Sequence, residues 1–468
     1  MTSNHNRSHG PQTQAFYRQA RLSRDPRFDG VFFVGVTSTG IFCRPVCPAR
    51  LPAEKNVIYY QRAIEALAAG YRPCLRCRPD SAPQSAAWKG VGSTVGRAEK
   101  LLAELPAMPV AHIARRLGVS QRYLCQLTSR YLGLAPKQLQ IFHQLLFAKR
   151  LLQQSGLSVA EVAIACGFNS SRRLQCLMQQ HWQLTPSALR SNKKVSHDPA
   201  TIQLFLACRA PYNWPQVRDF LAGHALTLVE QVSDTSYALA FNWGQSPGHL
   251  IATFNQKKCG FDVALRLTDL TSIQPVMENL ARVLDTHADP LLISQALQAA
   301  GIAPQQLVEG LRLPGTWSYF EAGCRAVLGQ QISVKAATNY ANQLVAKTHT
   351  ENQYGPVFPS PEAVVAMPLD ALRLPASRQH TLRALATAFT ASEPPTRADL
   401  LALKGIGPWT CDYMALRGAG DSDIYLESDL IVRKAAAAQP IQAAQATPWR
   451  TYLTLQLWDI AVNQQAER

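Results

Sequence analysis

Four cysteines near the start of the chain have spacings that suit metal binding. Cys43 and Cys47 stand four residues apart in IFCRPVCPAR, and Cys74 and Cys77 stand three apart in RPCLRCRPD. Thiols at such spacings can bind a metal, form a disulfide or react as nucleophiles. Because two close pairs are typical of a tetrahedral site with four thiolates, we predict one Zn²⁺ bound by all four cysteines. The alternative is two unrelated pairs of thiols.

Arginines crowd this predicted zinc site. Guanidinium groups favour phosphate, so we predict that Arg44, directly after Cys43, contacts DNA. A zinc-bound thiol stays ionised, and the thiolate is the nucleophilic form. Four thiolates around Zn²⁺ leave a net negative charge that repels DNA phosphate, and methylation of one sulfur would reduce that charge. The site could therefore be both reagent and switch. The surrounding arginines are Arg44, Arg50, Arg72, Arg76 and Arg78.

The segments DGVFFVGVTSTGIFCRPVCPAR and EALAAGYRPCLRCRPD closely resemble the N-terminal domain of the bacterial Ada-type adaptive-response regulators. That family accepts a methyl group from DNA methyl phosphotriesters on a zinc-bound cysteine of an F-C-R-P motif. The resemblance assigns the methyl-acceptor role to Cys43. It also implies an Ada-type zinc domain, which we place at residues 1–85.

The net charge of +16 is unevenly distributed. Residues 1–194 hold 27 Lys and Arg against 8 Asp and Glu, whereas the remainder holds 20 against 23. A basic front suggests nucleic-acid binding, with a solvated basic surface as the alternative. The 468 residues suggest about three domains. With no apolar run near ~20 residues and a polar N-terminus, we expect a soluble, cytoplasmic protein with no membrane partner. The resemblance to the Ada-type regulators implies that the protein is bacterial.

Two helix-turn-helix patterns follow a hinge-like stretch at residues 81–95. In the first pattern, Gly118 stands at the turn and Ser120 can cap the helix that follows. In the second pattern, Gly167 stands at the turn. Together they resemble the AraC-type DNA-binding domain, at about residues 96–192, in which the second helix of each unit enters the major groove. The apolar faces are Val110, Ile113, Ala114 and Leu117, then Val159, Val162, Ala163 and Cys166. Candidate base contacts, with phosphate contact or simple solvation as the alternative, are Gln121, Arg122, Gln126, Ser171, Arg172 and Arg173.

The back of the chain first shows strands and then helices. After a predicted linker at residues 193–200, we predict a small antiparallel α+β domain at residues 199–312, which by itself indicates no chemistry. An all-α domain follows at residues 313–468, so the fold class is multidomain α+β. The strand-like runs are TIQLFLACRA, SYALAFNW, HLIATFN and GFDVALRL.

The stretch LLALKGIGPWTCDYMALRG contains a helix-hairpin-helix signature. Gly405 and Gly407 allow close backbone approach, and the hairpin amides can hold a phosphate. Asp429 follows in YLESDLIVRK, where capping of a helix is a compatible role. The hairpin followed by an aspartate resembles the helix-hairpin-helix DNA glycosylases. Together with GLRLPG, AVLGQQISVKAA and PWRTYLTLQLW, the pattern more closely resembles 3-methyladenine-DNA glycosylase II of the AlkA type, over about residues 200–465.

This resemblance implies release of alkylated purines from flipped nucleotides. It makes Asp429 the carboxylate that stabilises the sugar cation as the base leaves. Trp409, Tyr413 and Trp458 would form an aromatic pocket for a cationic base, with core packing as the alternative. Gln331 stands where the AlkA type inserts an apolar wedge, and Gln330 or Gln331 could fill the gap left by the base.

Three absences narrow the predicted chemistry. Trp409 replaces the Schiff-base lysine of bifunctional relatives, which predicts hydrolysis without strand cleavage. No cysteine follows Cys411, so we expect no iron–sulfur cluster. The P-C-H-R motif of the regulators' second methyltransferase is absent, so direct reversal of O6-alkylguanine is not predicted.

Our interpretation is an alkylation-response fusion of a methyl-phosphotriester-sensing transcriptional regulator with a monofunctional DNA glycosylase. Expected partners are double-stranded DNA, as promoter and as lesion, and RNA polymerase, with the protein a monomer. One alternative is a transcriptional activator with an inactive glycosylase half. The other is a glycosylase whose front domains merely anchor it to DNA around a structural zinc.

Overall fold

In the computed structural model, the chain divides into two units, Met1–Ile141 and Phe142–Arg468, and each is described by itself. Each unit contains both helices and strands, which confirms the mixed α and β class. None of the described helices is long and apolar enough to cross a membrane. The structure describes residues 11–24, 28–80, 91–190 and 201–466.

The front of the first unit consists of α1 (Pro11–Ser23), β1 (Phe33–Val36), β2 (Ile41–Cys43), β3 (Val57–Tyr60), α2 (Ala63–Ala68) and β4 (Arg72–Pro73). The sheet has the order β3-β1-β2-β4, with β2 antiparallel to β1 and parallel to β4. Because β2 and β4 are neighbours, Cys43 at the end of β2 lies beside the turn that follows β4. The Cys74 N–H donates to the Phe42 carbonyl at 3.0 Å, which fixes this proximity.

The first helix-turn-helix consists of α3 (Val91–Ala103), α4 (Val110–Arg116) and α5 (Gln121–Tyr131). The predicted turn is confirmed, because Gly118 has φ +69° and the Ser120 hydroxyl accepts a hydrogen bond from the Tyr123 N–H at 3.1 Å. The predicted hinge at 81–95 is shorter than expected, since α3 already begins at Val91. Its residues 81–90 lie outside the described residues. The predicted apolar face is largely buried, through Ile113, Ala114 and Leu117.

The second helix-turn-helix uses α6 (Pro136–Gln154), in which the division between the units falls, then α7 (Val159–Ala165), α8 (Ser171–Trp182) and α9 (Pro186–Leu189). Gly167 has φ +72° and makes the predicted turn. Ser158 and Glu161 form a capping box at the start of α7, which satisfies amides that the first helical turn leaves unpaired. The predicted linker at 193–200 lies outside the described residues.

A five-stranded antiparallel sheet and two helices follow. The elements are β5 (Ile202–Ala207), α10 (Trp214–His224), β6 (Glu230–Val232), β7 (Ser236–Trp243), β8 (Ser246–Asn255), β9 (Gly260–Leu267) and α11 (Ile273–Val283). The strands lie in the order β5-β9-β8-β7-β6. The four predicted strands are confirmed, and the short strand β6 is an addition. The edge strand β5 is covered by α6, because Arg150 donates to the Phe205 carbonyl at 2.7 Å and the Phe205 N–H donates to Gln154 at 3.0 Å.

The rest of this unit is mainly helical. It comprises α12 (Pro290–Ala299), α13 (Tyr319–Leu328), α14 (Val334–Thr348), β10 (Glu351–Asn352), β11 (Gly355–Pro356), α15 (Pro361–Ala366), α16 (Ala376–Phe389), α17 (Arg397–Leu401), α18 (Pro408–Met414), α19 (Leu430–Ala437) and α20 (Arg450–Ala466). Ile293 and Leu297 of α12 share a core with Leu453 and Leu457 of α20. Packing therefore continues across the boundary that we predict at residue 312.

Candidate functional sites

The first candidate site is the cluster of the four predicted zinc ligands. The Sγ atoms of Cys43, Cys47, Cys74 and Cys77 all lie within 4.8 Å of one another. A regular tetrahedron with Zn–S bonds of about 2.3 Å has sulfur–sulfur edges of about 3.8 Å, so the cluster fits Zn²⁺. Hydrogen bonds with Cys47 and Cys77, together with burial, raise the pKa of the Cys43 thiol. A cation at the cluster would counter this and hold the sulfur as thiolate.

The four thiols differ in exposure. Cys43 is partly exposed, whereas Cys47, Cys74 and Cys77 are buried. Cys43 ends strand β2, and the buried cysteines lie in the turns that flank it. A substrate could therefore approach the cluster at Cys43, the sulfur that the sequence resemblance selects.

Arg44 has a structural role in this domain. Its Nε donates to Asp29 at 2.7 Å, its Nη2 also pairs with Asp29, and its Nη1 donates to the Cys77 carbonyl at 3.1 Å. With 9% of Arg44 exposed, a phosphate contact would have to displace these partners. The other arginines around the cluster, by contrast, are exposed: Arg50, Arg72, Arg76 and Arg78.

The candidate base contacts lie on the surfaces of the second helices. α5 presents Gln121, Arg122 and Gln126 to solvent, and α8 presents Arg172 and Arg173. Ser171 at the start of α8 is half-buried. Both helices are anchored from beneath by buried leucines, Leu124, Leu127, Leu174 and Leu177. Five of the six candidate side chains are thus open to solvent, and their contact with DNA bases stays a prediction.

The second candidate site is a cavity of about 630 Å³ in the second unit. It contains the predicted aromatic residues Trp409 and Tyr413 of α18, whose rings stack with centroids 5.3 Å apart, and Trp458 of α20. The predicted acid Asp429 lines the same cavity. The structure thus brings together the acid and the three aromatic residues that the glycosylase resemblance assigns to the base pocket. A cavity of this size can hold a purine base.

Asp429 is fixed at the start of α19 by four N–H groups. Its Oδ1 accepts from the amides of Ile431 at 3.0 Å and Val432 at 3.1 Å, as a helix cap does. The Trp458 Nε1–H also donates to Oδ1, at 3.3 Å, and the Trp409 Nε1–H donates to Oδ2 at 3.4 Å. The Asp429 carboxylate therefore caps α19 and also lines the cavity.

The predicted hairpin joins α17 to α18. Gly405 has φ +90°, and a Cβ at this position would lie 2.2 Å from the Thr381 hydroxyl oxygen. Gly407 is different: it has φ −108°, and a Cβ there would meet nothing within 4 Å. Gly405 is therefore required by the fold, whereas the space at Gly407 is open to a ligand.

The two predicted gap-filling glutamines have different surroundings. Gln330 donates to the Gly405 carbonyl at 2.9 Å, and its own carbonyl accepts from Arg378 at 2.7 Å, so it braces the hairpin. Gln331 is exposed and has φ +60° in the turn between α13 and α14. Of the pair, Gln331 has the side chain that is free to project from the surface.

Three family models match separate parts of the chain: "Metal binding domain of Ada" at residues 17–80, "Helix-turn-helix domain" at 113–192 and "AlkA N-terminal domain" at 203–318. A Mycobacterium tuberculosis (strain H37Rv) protein named "Probable bifunctional transcriptional activator/DNA repair enzyme AlkA" is 34% identical over 479 residues. The alignment covers 94% of this chain and 95% of the relative. The chain belongs to this bifunctional AlkA family.

Two further matches each cover one part of the chain. The "DNA-3-methyladenine glycosylase 2" of Escherichia coli (strain K12) is 31% identical over 272 residues, which are 53% of this chain and 94% of that protein. The "Crystal structure of the methylated N-ADA/DNA complex" is 37% identical over 28% of this chain and 97% of that chain, with a TM-score of 0.23. The family models and the relatives confirm the resemblance to Ada-type and AlkA-type proteins.

One wall of the cavity was not predicted from the sequence. Phe220 and His224 of α10 line it, although the sequence of the α+β domain by itself indicates no chemistry. Arg325 of α13 and Arg417, directly after α18, line it as well. The Arg417 guanidinium lies 4.5 Å from the Phe220 ring centroid and donates to the Tyr413 hydroxyl at 3.2 Å. The i, i+4 spacing of Phe220 and His224 places both on one helical face, but it does not indicate that this face lines a cavity.

Proposed function

We propose that this bifunctional AlkA family member removes alkylated purines from DNA as a monofunctional glycosylase, and that its front half senses methylated DNA and regulates transcription. The observation that carries the glycosylase half is the Asp429 carboxylate, held by two indole N–H groups within an aromatic cavity. N3- and N7-alkylated purines are cationic, and aromatic faces attract cations by roughly 0.5–2 kcal/mol per contact.

The proposed reaction breaks the bond between the sugar C1′ and the base nitrogen. The base leaves with the electron pair of that bond, and positive charge develops on the sugar. Asp429 stabilises this charge because its carboxylate is oriented in advance by the α19 amides and by Trp409 and Trp458. Water then adds to C1′ and loses a proton, which yields an abasic site.

Hydrolysis without strand cleavage is part of this proposal. Trp409, rather than a lysine, lies next to Asp429, so no amine at this position can form a Schiff base with the sugar. The absence of an iron–sulfur cluster, predicted from the lack of cysteines after Cys411, stays a prediction.

Release of free bases from methylated double-stranded DNA tests the glycosylase proposal. Asp429→Asn keeps a good helix cap but removes the negative charge, so we expect base release to slow by at least about a hundredfold. The exposed Glu427, two residues earlier, supplies the matched control Glu427→Gln, which should leave the rate unchanged. Equal rates for the wild type and Asp429→Asn would reject the assignment of Asp429.

We further propose that Cys43 accepts the methyl group of a DNA methyl phosphotriester. The partly exposed Cys43, beside three buried cysteines, supports this role. Zn²⁺ bound by the four cysteines would keep the Cys43 sulfur ionised near neutral pH. The Cys43 sulfur attacks the methyl carbon, an S–C bond forms, and the C–O bond breaks with its electron pair on the departing phosphodiester oxygen.

Loss of one thiolate charge would then weaken the repulsion between the cluster and DNA phosphates. The exposed residues of α5 and α8 would bind the promoter more tightly as a result. We expect the protein bound at the promoter to contact RNA polymerase. Intact mass after incubation with methylated DNA tests the transfer, with Cys43→Ser as the variant. Promoter affinity of methylated and unmethylated protein at one stated salt concentration tests the switch.

Helix-hairpin-helix contact with DNA completes the proposal. The hairpin backbone around Gly407 is open, and Gln331 projects from the turn between α13 and α14. The Gly407 backbone would contact a phosphate, and the Gln331 side chain would fill the gap that the flipped nucleotide leaves. A monomer suffices for these contacts, since one chain carries two helix-turn-helix units.

A further inference from the structure

His224 ends helix α10 and lines the cavity that holds Asp429, Trp409, Tyr413 and Trp458. Its ring stacks on Phe220, with ring centroids 4.4 Å apart and planes inclined by 16°. Its own carbonyl accepts a hydrogen bond from the buried Arg325. The imidazole is therefore held in one orientation on the wall of the cavity supplied by the α+β domain.

The hydrogen bond at Nδ1 determines which nitrogen carries the proton. Nδ1 lies 2.8 Å from the Phe220 carbonyl oxygen. A carbonyl oxygen can only accept, so Nδ1 must carry the hydrogen and donate it. In the neutral ring, Nε2 then has a lone pair and acts only as an acceptor. Among the residues that the structure describes, none forms a hydrogen bond with Nε2.

The surroundings keep the imidazole neutral. Burial, the nearby Arg417 cation, and Arg325 together lower the pKa of His224 to about 3. Arg325 is itself paired with Glu230 and Glu321, each at 2.7 Å. A ring that stays neutral across the pH range of most assays offers the same acceptor throughout.

We propose that His224 is a substrate-contacting specificity residue, whose Nε2 accepts a hydrogen bond from the exocyclic amine of the flipped, alkylated purine. This rests on the proposed glycosylase function. The positive charge of an alkylated purine makes its amine a stronger donor, and hydrogen bonds to charged partners are the stronger ones. A base that presents only lone pairs to Nε2 would be bound less well.

Three variants test this inference in single-turnover release from methylated double-stranded DNA. His224→Leu removes the acceptor, and His224→Gln supplies an amide oxygen as a replacement. Ala222→Gln is the control, because Ala222 lies on the same helix, is exposed and does not line the cavity. Thermal unfolding of each variant establishes that the glycosylase half is folded.

Released 3-methyladenine and 7-methylguanine are quantified separately, since both carry an exocyclic amine. We expect His224→Leu to slow release of at least one base by about ten- to a hundredfold, and His224→Gln to recover most of that loss. The base whose release slows in His224→Leu is the one whose exocyclic amine contacts Nε2. Equal rates for His224→Leu and the wild type with both bases would overturn the inference, as would a folded His224→Gln as slow as His224→Leu. A wild type that releases neither base would instead reject the proposed glycosylase function.

Discussion

The indole Nε1 of Trp458 lies 3.3 Å from Oδ1 of Asp429. These residues are 29 positions apart and belong to α20 and to the start of α19, so the packing of two helices sets the position of the carboxylate. Trp409 reaches the other oxygen from α18. Three helices therefore converge on one carboxylate, and both indoles can serve as pocket walls and as hydrogen-bond donors.

Substitution of the indoles separates these two functions. Trp458→Phe keeps an aromatic face but loses the N–H, whereas Trp458→Leu loses both. We expect base release to fall by about tenfold in the phenylalanine variant, through the lost hydrogen bond to a charged group, and further in the leucine variant. Single-turnover release of methylated bases measures both. Equal rates in the two variants would show that the aromatic face of Trp458 does not contact the base.

The two hairpin glycines should respond differently to alanine. Gly405→Ala places a Cβ 2.2 Å from the Thr381 hydroxyl oxygen at φ +90°, so we expect a loss of about 1–3 kcal/mol in the free energy of unfolding. Gly407→Ala meets nothing within 4 Å and should be as stable as the wild type. If the Gly407 backbone approaches a phosphate, however, this variant should bind DNA more weakly. Thermal unfolding and fluorescence anisotropy with duplex DNA are the measurements, and unchanged DNA affinity in Gly407→Ala would contradict the phosphate contact.

His224 makes stability depend on pH in a defined direction. Its pKa is about 3 in the folded protein, below the ordinary value of 6.5. Between pH 6.5 and about pH 3 the unfolded chain therefore binds more protons than the folded protein, and stability is lost as the pH falls below 6.5. At pH 5 the contribution of this group amounts to about 2 kcal/mol. Urea unfolding of wild type and His224→Gln at pH 7.5 and 5 should show a larger loss for the wild type. Parallel losses would mean that His224 is not protected from protonation.

The zinc content of serine variants should distinguish the reactive cysteine from the purely structural ones. Cys74→Ser removes a buried ligand next to β4 and should lose zinc and unfold the front domain. Cys43→Ser alters the partly exposed position and should retain zinc, at reduced affinity, with three thiolates left. Metal content after dialysis and circular dichroism measure both effects. Full zinc occupancy in Cys74→Ser would contradict the four-cysteine site.

The sequence predicted the elements that depend on local patterns. The turn at Gly118, the cap at Ser120 and the four long strands have local signals, because side-chain periodicity and backbone preferences act over a few residues. The cysteine cluster was also predictable, since four ligands of one type in two close pairs have few other uses. Asp429 and its aromatic neighbours were found through the family resemblance.

What escaped prediction depends on distant parts of the chain coming together. His224 lies about 200 residues before Asp429, and nothing around it in the sequence indicates that α10 forms a wall of the same cavity. The ion pair of Arg44 with Asp29 was equally hidden, because it depends on how the segment before β1 packs against the cysteine turn. The contact between α6 and the edge of β5 arises in the same way.

The most direct test of the bifunctional account is mass spectrometry of a single reaction. The zinc-loaded protein is incubated with methylated double-stranded DNA, and both the intact protein and the released small molecules are analysed. We expect one added methyl group on the protein, absent in Cys43→Ser, together with free methylated purine, absent in Asp429→Asn, and each variant should retain the other activity. Protein of unchanged mass with zinc bound would rule out methyl transfer to Cys43. No free base from the wild type would rule out the glycosylase activity.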